Sequence, residues 1–106
     1  MPVNIIVEQV KREVALYAGM THGGKLHTVL DDQNQRYAVV FVPESADERP
    51  SYVITLARIV DDYIVIDEDG AIDKPLHQAL MVNANIPLEQ IILAYQGETT
   101  PAVEEQ

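Results

Sequence analysis

The stretch Ser51-Tyr-Val-Ile-Thr-Leu-Ala-Arg-Ile-Val-Asp-Asp-Tyr-Ile-Val-Ile-Asp67 decides the fold. It holds two runs rich in β-branched and aromatic residues, Ser51 to Ile59 and Tyr63 to Asp67, separated at Asp61-Asp62. Such side chains suit a pleated, half-buried surface. A tight turn between them makes an antiparallel hairpin the expected product. Upstream, Leu26 to Leu30 and Arg36 to Val42 repeat the pattern around Asp31-Asp32-Gln33-Asn34, a turn whose short polar side chains can form Asx turns. In the run from Arg36, alternation puts Tyr37, Val39 and Phe41 on one face and Ala38, Val40 and Val42 on the other. Pro43 to Pro50 links the two hairpins as a polar loop and is the segment expected to be most mobile.

Helical spacing brackets this β region. Ile6, Val10, Val14 and Tyr17 line one face of a helix predicted over residues 4–18, with Asn4 as its N-cap and Gly19 as its stop. Glu8 and Arg12 stand four apart, where an ion pair can form. Residues 20–24 read as a loop. A second helix is expected from an Asp73 cap, with Pro75 in its first turn and Leu76, Ala79, Leu80 and Asn83 on one face. Asn83-Ala84-Asn85 is its expected stop before Pro87. The apolar run Ile91-Ile92-Leu93-Ala94-Tyr95 predicts a strand buried on both faces, or at least inside the sheet rather than at its rim. Gly97 to Gln106 is a polar acidic tail expected to fray.

The order is therefore α-β-β-β-β-α-β, and residues 1–106 make one domain. Two helices cover one face of a five-strand sheet more economically than both. The expected fold is α+β, two-layered, with a mainly antiparallel five-strand sheet and both helices on one face. The other face is left with Val, Ile and Tyr side chains, the kind of patch that meets a partner or a second copy.

Composition narrows the function. The chain has 106 residues, 17 acidic and 7 basic, for a net charge of −10, and 47% of it is apolar. A core is affordable at that length, and the apolar content is too high for a disordered chain. The sequence holds no cysteine, which excludes a disulfide scaffold and thiolate-ligated metal. No apolar run approaches the ~18 residues of a membrane span, and Met1 to Val10 lacks the pattern of a signal peptide. A cytoplasmic protein is the default expectation. The basic residues Lys11, Arg12, Lys25, Arg36, Arg49, Arg58 and Lys74 are scattered, which disfavours direct binding to a phosphate backbone.

Chemistry-bearing patterns are weak. Gly19-Met-Thr-His-Gly-Gly24-Lys25 imitates a phosphate-binding loop, but Leu26 stands where Ser or Thr should hold magnesium, and helix and strand come in the wrong order. Asp67, Asp69 and Gly70 suggest a calcium loop; aligning Gly70 puts Val65 and Leu76 at positions that need oxygen ligands. His22, His27 and His77 lack the spacing of a metal site. Ser45 and Ser51 sit in no nucleophile motif, and the carboxylate pairs Asp31/Asp32, Asp61/Asp62 and Asp67/Asp69 fall at turns, where Asp serves the backbone. No catalytic, metal or cofactor residue is assigned, and the protein is expected not to be an enzyme. The aromatics Tyr37, Phe41, Tyr52, Tyr63 and Tyr95 fit core or interface packing better than stacking on nucleic acid.

Several segments carry a family resemblance: His27-Thr-Val-Leu-Asp31-Asp32 with Arg36-Tyr37; Ile59-Val-Asp61-Asp62-Tyr63-Ile64-Val65-Ile66; Asp69-Gly70; Asp73-Lys74-Pro75-Leu76; Ala79-Leu80; and Ile86-Pro87-Leu-Glu-Gln-Ile91-Ile92-Leu93-Ala94-Tyr95. In order and spacing they make residues 25–96 resemble the XisI-like family, the fdxN element excision controlling factors of cyanobacteria. The chain departs from it at Tyr63-Ile64-Val65-Ile66, where many members carry Lys-Ile-Trp-Ile, and in the tail from Gly97. The resemblance implies an accessory role in site-specific excision of a DNA element by a separate recombinase, beside a nuclease-like factor, XisH. It supplies no catalytic residues. Joined with the acidic charge, it leads to a regulatory protein that binds a basic, DNA-handling XisH-like partner. A homodimer through the open sheet face is a second expected contact. The candidate interface is Tyr52, Ile54, Tyr63, Val65, Asp67 and Asp69. The alternative, a direct DNA-binding accessory factor, requires Lys11, Arg12, Lys25 and Arg36 to converge on one surface after folding or dimerisation. A small hydrolase or metal enzyme built on Asp67/Asp69 or His22/His27 ranks last.

Overall fold

The structure, a computed structural model, describes residues 3–45, 50–70 and 75–100. Its elements are α1 (Val3–Ala15), β1 (Gly19–Thr21), β2 (Gly24–Asp31), β3 (Arg36–Pro43), β4 (Tyr52–Val60), β5 (Tyr63–Asp69), α2 (Leu76–Ala84) and β6 (Ile91–Ile92), with 3₁₀ turns at Leu88–Gln90 and Ala94–Gln96. One sheet runs in the order β1-β2-β3-β4-β5-β6. Neighbours are antiparallel up to β5, and β6 joins β5 in parallel, as a strand reached through a helical crossover does. The sheet is thus six-stranded and mixed where five mainly antiparallel strands were expected. The extra strand is β1, formed because Gly19–Thr21 pairs with Gly24–Leu26 across a two-residue turn at His22-Gly23. The segment read as a loop is a hairpin.

The two-layer arrangement is as expected. α1 lies over β2, β3 and β4 and against α2. Ile6, Val10 and Val14 of α1, Tyr37 and Val39 of β3, Ala57 and Ile59 of β4, Ile64 and Ile66 of β5, and Leu76 and Leu80 of α2 form one buried core. The spacing that predicted the buried stripe of α1 is the spacing that packs. Its details differ at the ends. Val3 is already helical, so Asn4 lies inside the first turn and is not the cap. Past Ala15 the amides of Leu16, Tyr17 and Ala18 bond three residues back, and Gly19 leaves the turn at φ +136°. Arg12 bonds Gln9 at 2.6 Å instead of Glu8, and Glu8 stands 3.7 Å from Lys11.

α2 ends at Ala84 with Asn85 left-handed at φ +56°, the expected stop. The expected Asp73 cap lies outside the described residues. The amide of Leu76 donates instead to Oδ2 of Asp69, 2.8 Å away on β5. That carboxylate satisfies an orphan N–H and sits favourably at the positive end of the helix. Ala84, not Asn83, faces the core.

Ile91–Tyr95 is not an internal strand. Only Ile91 and Ile92 join the sheet, as its last strand. Ile91 and Leu93 are buried, as the apolar run implies. The chain then turns through Ala94–Gln96, and the amide of Leu93 bonds Glu98 Oε1 at 2.8 Å. Burial here comes from packing in the shared core and from this turn, not from strands on both sides. Of the expected mobile loop, residues 46–49 lie outside the described residues, as do 101–106 of the acidic tail. Among the described residues no helix is long and apolar enough to cross a membrane.

Candidate functional site: the open sheet face

Strict alternation would place Tyr52, Ile54, Tyr63, Val65, Asp67 and Asp69 on one face of β4 and β5. Two β-bulges divide them. In β4, Val39 opposes Thr55 and Val40 opposes Val53, so Ile54 is the extra residue. In β5, Ala57 opposes Ile66 and Leu56 opposes Glu68, so Asp67 is the extra residue. Tyr63, Val65 and Asp67 stay on the open face, although Val65 is buried there, at 6% exposed. Tyr52 pairs with Phe41, their rings 5.2 Å apart, and Ile54 packs against the core on the helix side. Asp69 crosses to the helix side and caps α2. The expected interface is two half-sites on opposite faces, and the Asp67/Asp69 pair is split between them.

The open half is built as follows. Exposed apolar side chains come from every long strand: Val29 of β2, Val42 of β3, Val53 and Val60 of β4, and Tyr63 of β5, each between 37% and 51% accessible. Among the described residues, Lys25, Arg36 and Arg58 share this face with Asp31, Asp67 and Glu68, and with Glu98 at its edge, so it carries both signs in near balance while the chain as a whole carries −10. Arg36 and Arg58 oppose each other directly. That repulsion is relieved sideways: Arg58 Nε donates to Asp67 Oδ2 at 2.7 Å. Next to it, Arg58, Val60, Tyr63, Val65, Ile92 and Glu98 border an open hollow of about 340 Å³.

The remaining sequence candidates are dispersed. His22 lies in the β1–β2 turn, His27 on the open face of β2 and His77 in the first turn of α2. Among the described residues no three His, Asp or Glu side chains gather where they could hold a metal. The Gly19–Lys25 motif is strand, turn and strand, with no helix N-terminus behind it. Asp31 closes its turn by accepting from Asn34 N and Nδ2 at 3.2 and 2.9 Å, which holds its carboxyl below the usual carboxylate range. Asp32 accepts from Lys11 Nζ at 3.0 Å and from the Tyr37 hydroxyl at 2.9 Å. These bonds, Lys11 first, lower the Asp32 pKa, while burial and then Asp32 push the Tyr37 hydroxyl up to about 12. The Asp31/Asp32 pair therefore secures a turn and ties it to α1 and β3. Lys11 and Arg12 lie on α1, whereas Lys25 and Arg36 lie on the open face, so the four cations named for DNA contact do not converge within one chain.

Sequence reasoning missed Glu13. It falls on the inner side of α1, 3% exposed, and accepts from Asn83 Nδ2 at 3.0 Å. Its place three residues after Val10 and directly before Val14, at the rim of the apolar stripe, was the available signal.

The fold defines a small two-layer α+β domain with one sheet face left bare. The chain belongs to the XisI protein family, which matches residues 3–105. Among solved structures it is similar to a XisI-like protein from Anabaena variabilis ATCC 29413, with a TM-score of 0.77 and 21% identity over 91% of this chain and 89% of that one. It is also similar to the fdxN element excision controlling factor XisI from the same organism, with a TM-score of 0.61 and 23% identity over 87% and 81% of the two chains. At these identities the likeness is one of fold. No curated protein matches the chain.

Proposed function

We propose that this protein is a non-enzymatic accessory factor that controls site-specific excision of a DNA element through protein–protein contacts. Membership of the XisI family supports the process, through the excision controlling factor that shares its fold. The observation that carries the mode of action is the open sheet face: exposed valines and a tyrosine with charges of both signs, on a chain otherwise strongly acidic. A nearly neutral, partly apolar face suits a second copy of the chain, because a two-fold contact needs both signs of charge on the same patch. The acidic remainder suits a basic, DNA-handling partner such as a XisH-like nuclease-like protein, which it would attract and mask.

Co-expression with a XisH-like protein tests the reading. A complex that survives purification and alters the partner's action on DNA is expected. A folded sample that never forms the complex removes this mode of action. The DNA-binding alternative predicts a gel shift at low salt and micromolar protein, and the separation of Lys11 and Arg12 from Lys25 and Arg36 weighs against it.

A further inference from the structure

On the helix side, α1 and α2 enclose a hollow of about 310 Å³ lined by Glu13, Leu16, Tyr17, Ala79 and Asn83. Its charged member is already desolvated: Glu13 is 3% exposed. One carboxylate oxygen accepts from Asn83 at 3.0 Å. The other stands 3.7 Å from Arg12 Nε, beyond hydrogen-bond length, and that arginine is 58% exposed and bonded to Gln9. An ionised carboxylate can accept about four bonds, so acceptor capacity remains. Burial first, and then the charges of Asp69 and Glu13, push the Tyr17 hydroxyl up to about 12. At the rim, Leu16 is 70% exposed and offers an apolar wall.

We propose that this hollow receives a lysine or arginine side chain of a partner protein, with the cationic head on Glu13 and the methylene stem along Leu16, Tyr17 and Ala79. Such side chains bury their stems and keep the charge at the tip, which matches apolar walls above a carboxylate floor. The cost of desolvating Glu13 has been met in folding, so the incoming cation finds a preorganised partner. The proposal deepens the reading of a basic protein partner by giving its anchor a place, and it rests on that reading.

The test uses the full chain, isotope-labelled for NMR. It is titrated with a capped Gly-Lys-Gly peptide, with the same peptide acetylated on the lysine, and with spermidine. The expected result is millimolar binding of the lysine peptide, with shifts confined to the amides of Leu16, Tyr17, Ala79 and Asn83 and abolished by acetylation. Glu13→Gln, which keeps the size and the Asn83 acceptor, should weaken binding about tenfold or more, the equivalent of about 1.4 kcal/mol. Leu16→Ala, at an exposed position that folding tolerates, should weaken it by about threefold and decides the matter if the Gln variant does not fold. Shifts that gather at the Asp61-Asp62 turn, or that persist unchanged in both variants, overturn the proposal. So does no binding of the lysine peptide, or spermidine occupying these residues in preference to it, which would make the hollow a polyamine site. None of these outcomes bears on whether a XisH-like complex forms, which co-purification reads separately.

Discussion

Gly24 starts β2 where the backbone runs against Phe41. A Cβ there would lie 2.7 Å from the Phe41 ring and still closer to the Val42 carbonyl. Gly24→Ala should therefore destabilise the protein by about 1–3 kcal/mol, read as a lower urea midpoint with an unchanged slope. Tyr37 makes a complementary case. It is fully buried, and its hydroxyl reaches Asp32. Tyr37→Phe should cost about 1 kcal/mol at neutral pH. Because Tyr17 and Tyr37 ionise only at about 12 in the folded chain but near 10 when unfolded, the folded state binds fewer hydroxide equivalents between those values. Their contribution is complete below about pH 10 and is lost as pH rises toward 12. Melting temperature followed across that range should fall. In the Phe variant one late step should vanish from the tyrosinate absorbance titration. Asp31 and Asp32 act at the other end. Their depressed pKa values stabilise the fold above the usual carboxylate range, and that help disappears as the pH drops through the folded values.

At the scale of elements, the bulges in β4 and β5 matter most. Alternation along Tyr63–Asp67 was readable from residue type, and so were the Asp61-Asp62 turn and the buried stripe of α1. Nothing in the residue types at Ile54 or Asp67 announces an extra residue, because a bulge answers to the partner strand and to the twist of the whole sheet. Its consequence is local and measurable. By turning Asp69 to the helix side, the β5 bulge supplies the acceptor for the first amide of α2. Asp69→Ala should cost about 1 kcal/mol and speed amide exchange in Leu76–Leu80, whereas Asp69→Asn, which keeps an acceptor, should retain most of the stability. Equal loss in both variants would assign the effect to charge rather than to the cap.

For the whole molecule the division of charge is the main feature. Among the described residues three cations and four anions share the open face, and most of the negative charge lies elsewhere. Self-association through that face should rest on apolar burial. Val53→Asp or Tyr63→Asp, at exposed positions, should then turn a dimer into a monomer in sedimentation velocity with little change in thermal stability. Raising the salt should leave the dimer intact and loosen any complex with a basic partner, because screening acts on the second contact far more than on the first. A wild-type chain that sediments as a monomer at high concentration would remove the second copy as occupant.

By itself, the sequence determined the two helices and their inward stripe, the β-rich middle with its Asp-led turns, the two-layer α+β class, the acidic balance and the family resemblance. These follow from local periodicity and turn chemistry, which neighbouring residues in the chain carry among themselves. Only the tertiary structure decided that Gly19–Thr21 pairs as a sixth strand, that Ile91-Ile92 joins in parallel at the rim, that the six candidate interface residues part onto two faces, and that Glu13 is buried beside α2. Each of these depends on contacts between residues far apart in the chain. Strand partners, register slips and the shade of one helix upon another are settled by packing free energy, which no local window of residues contains.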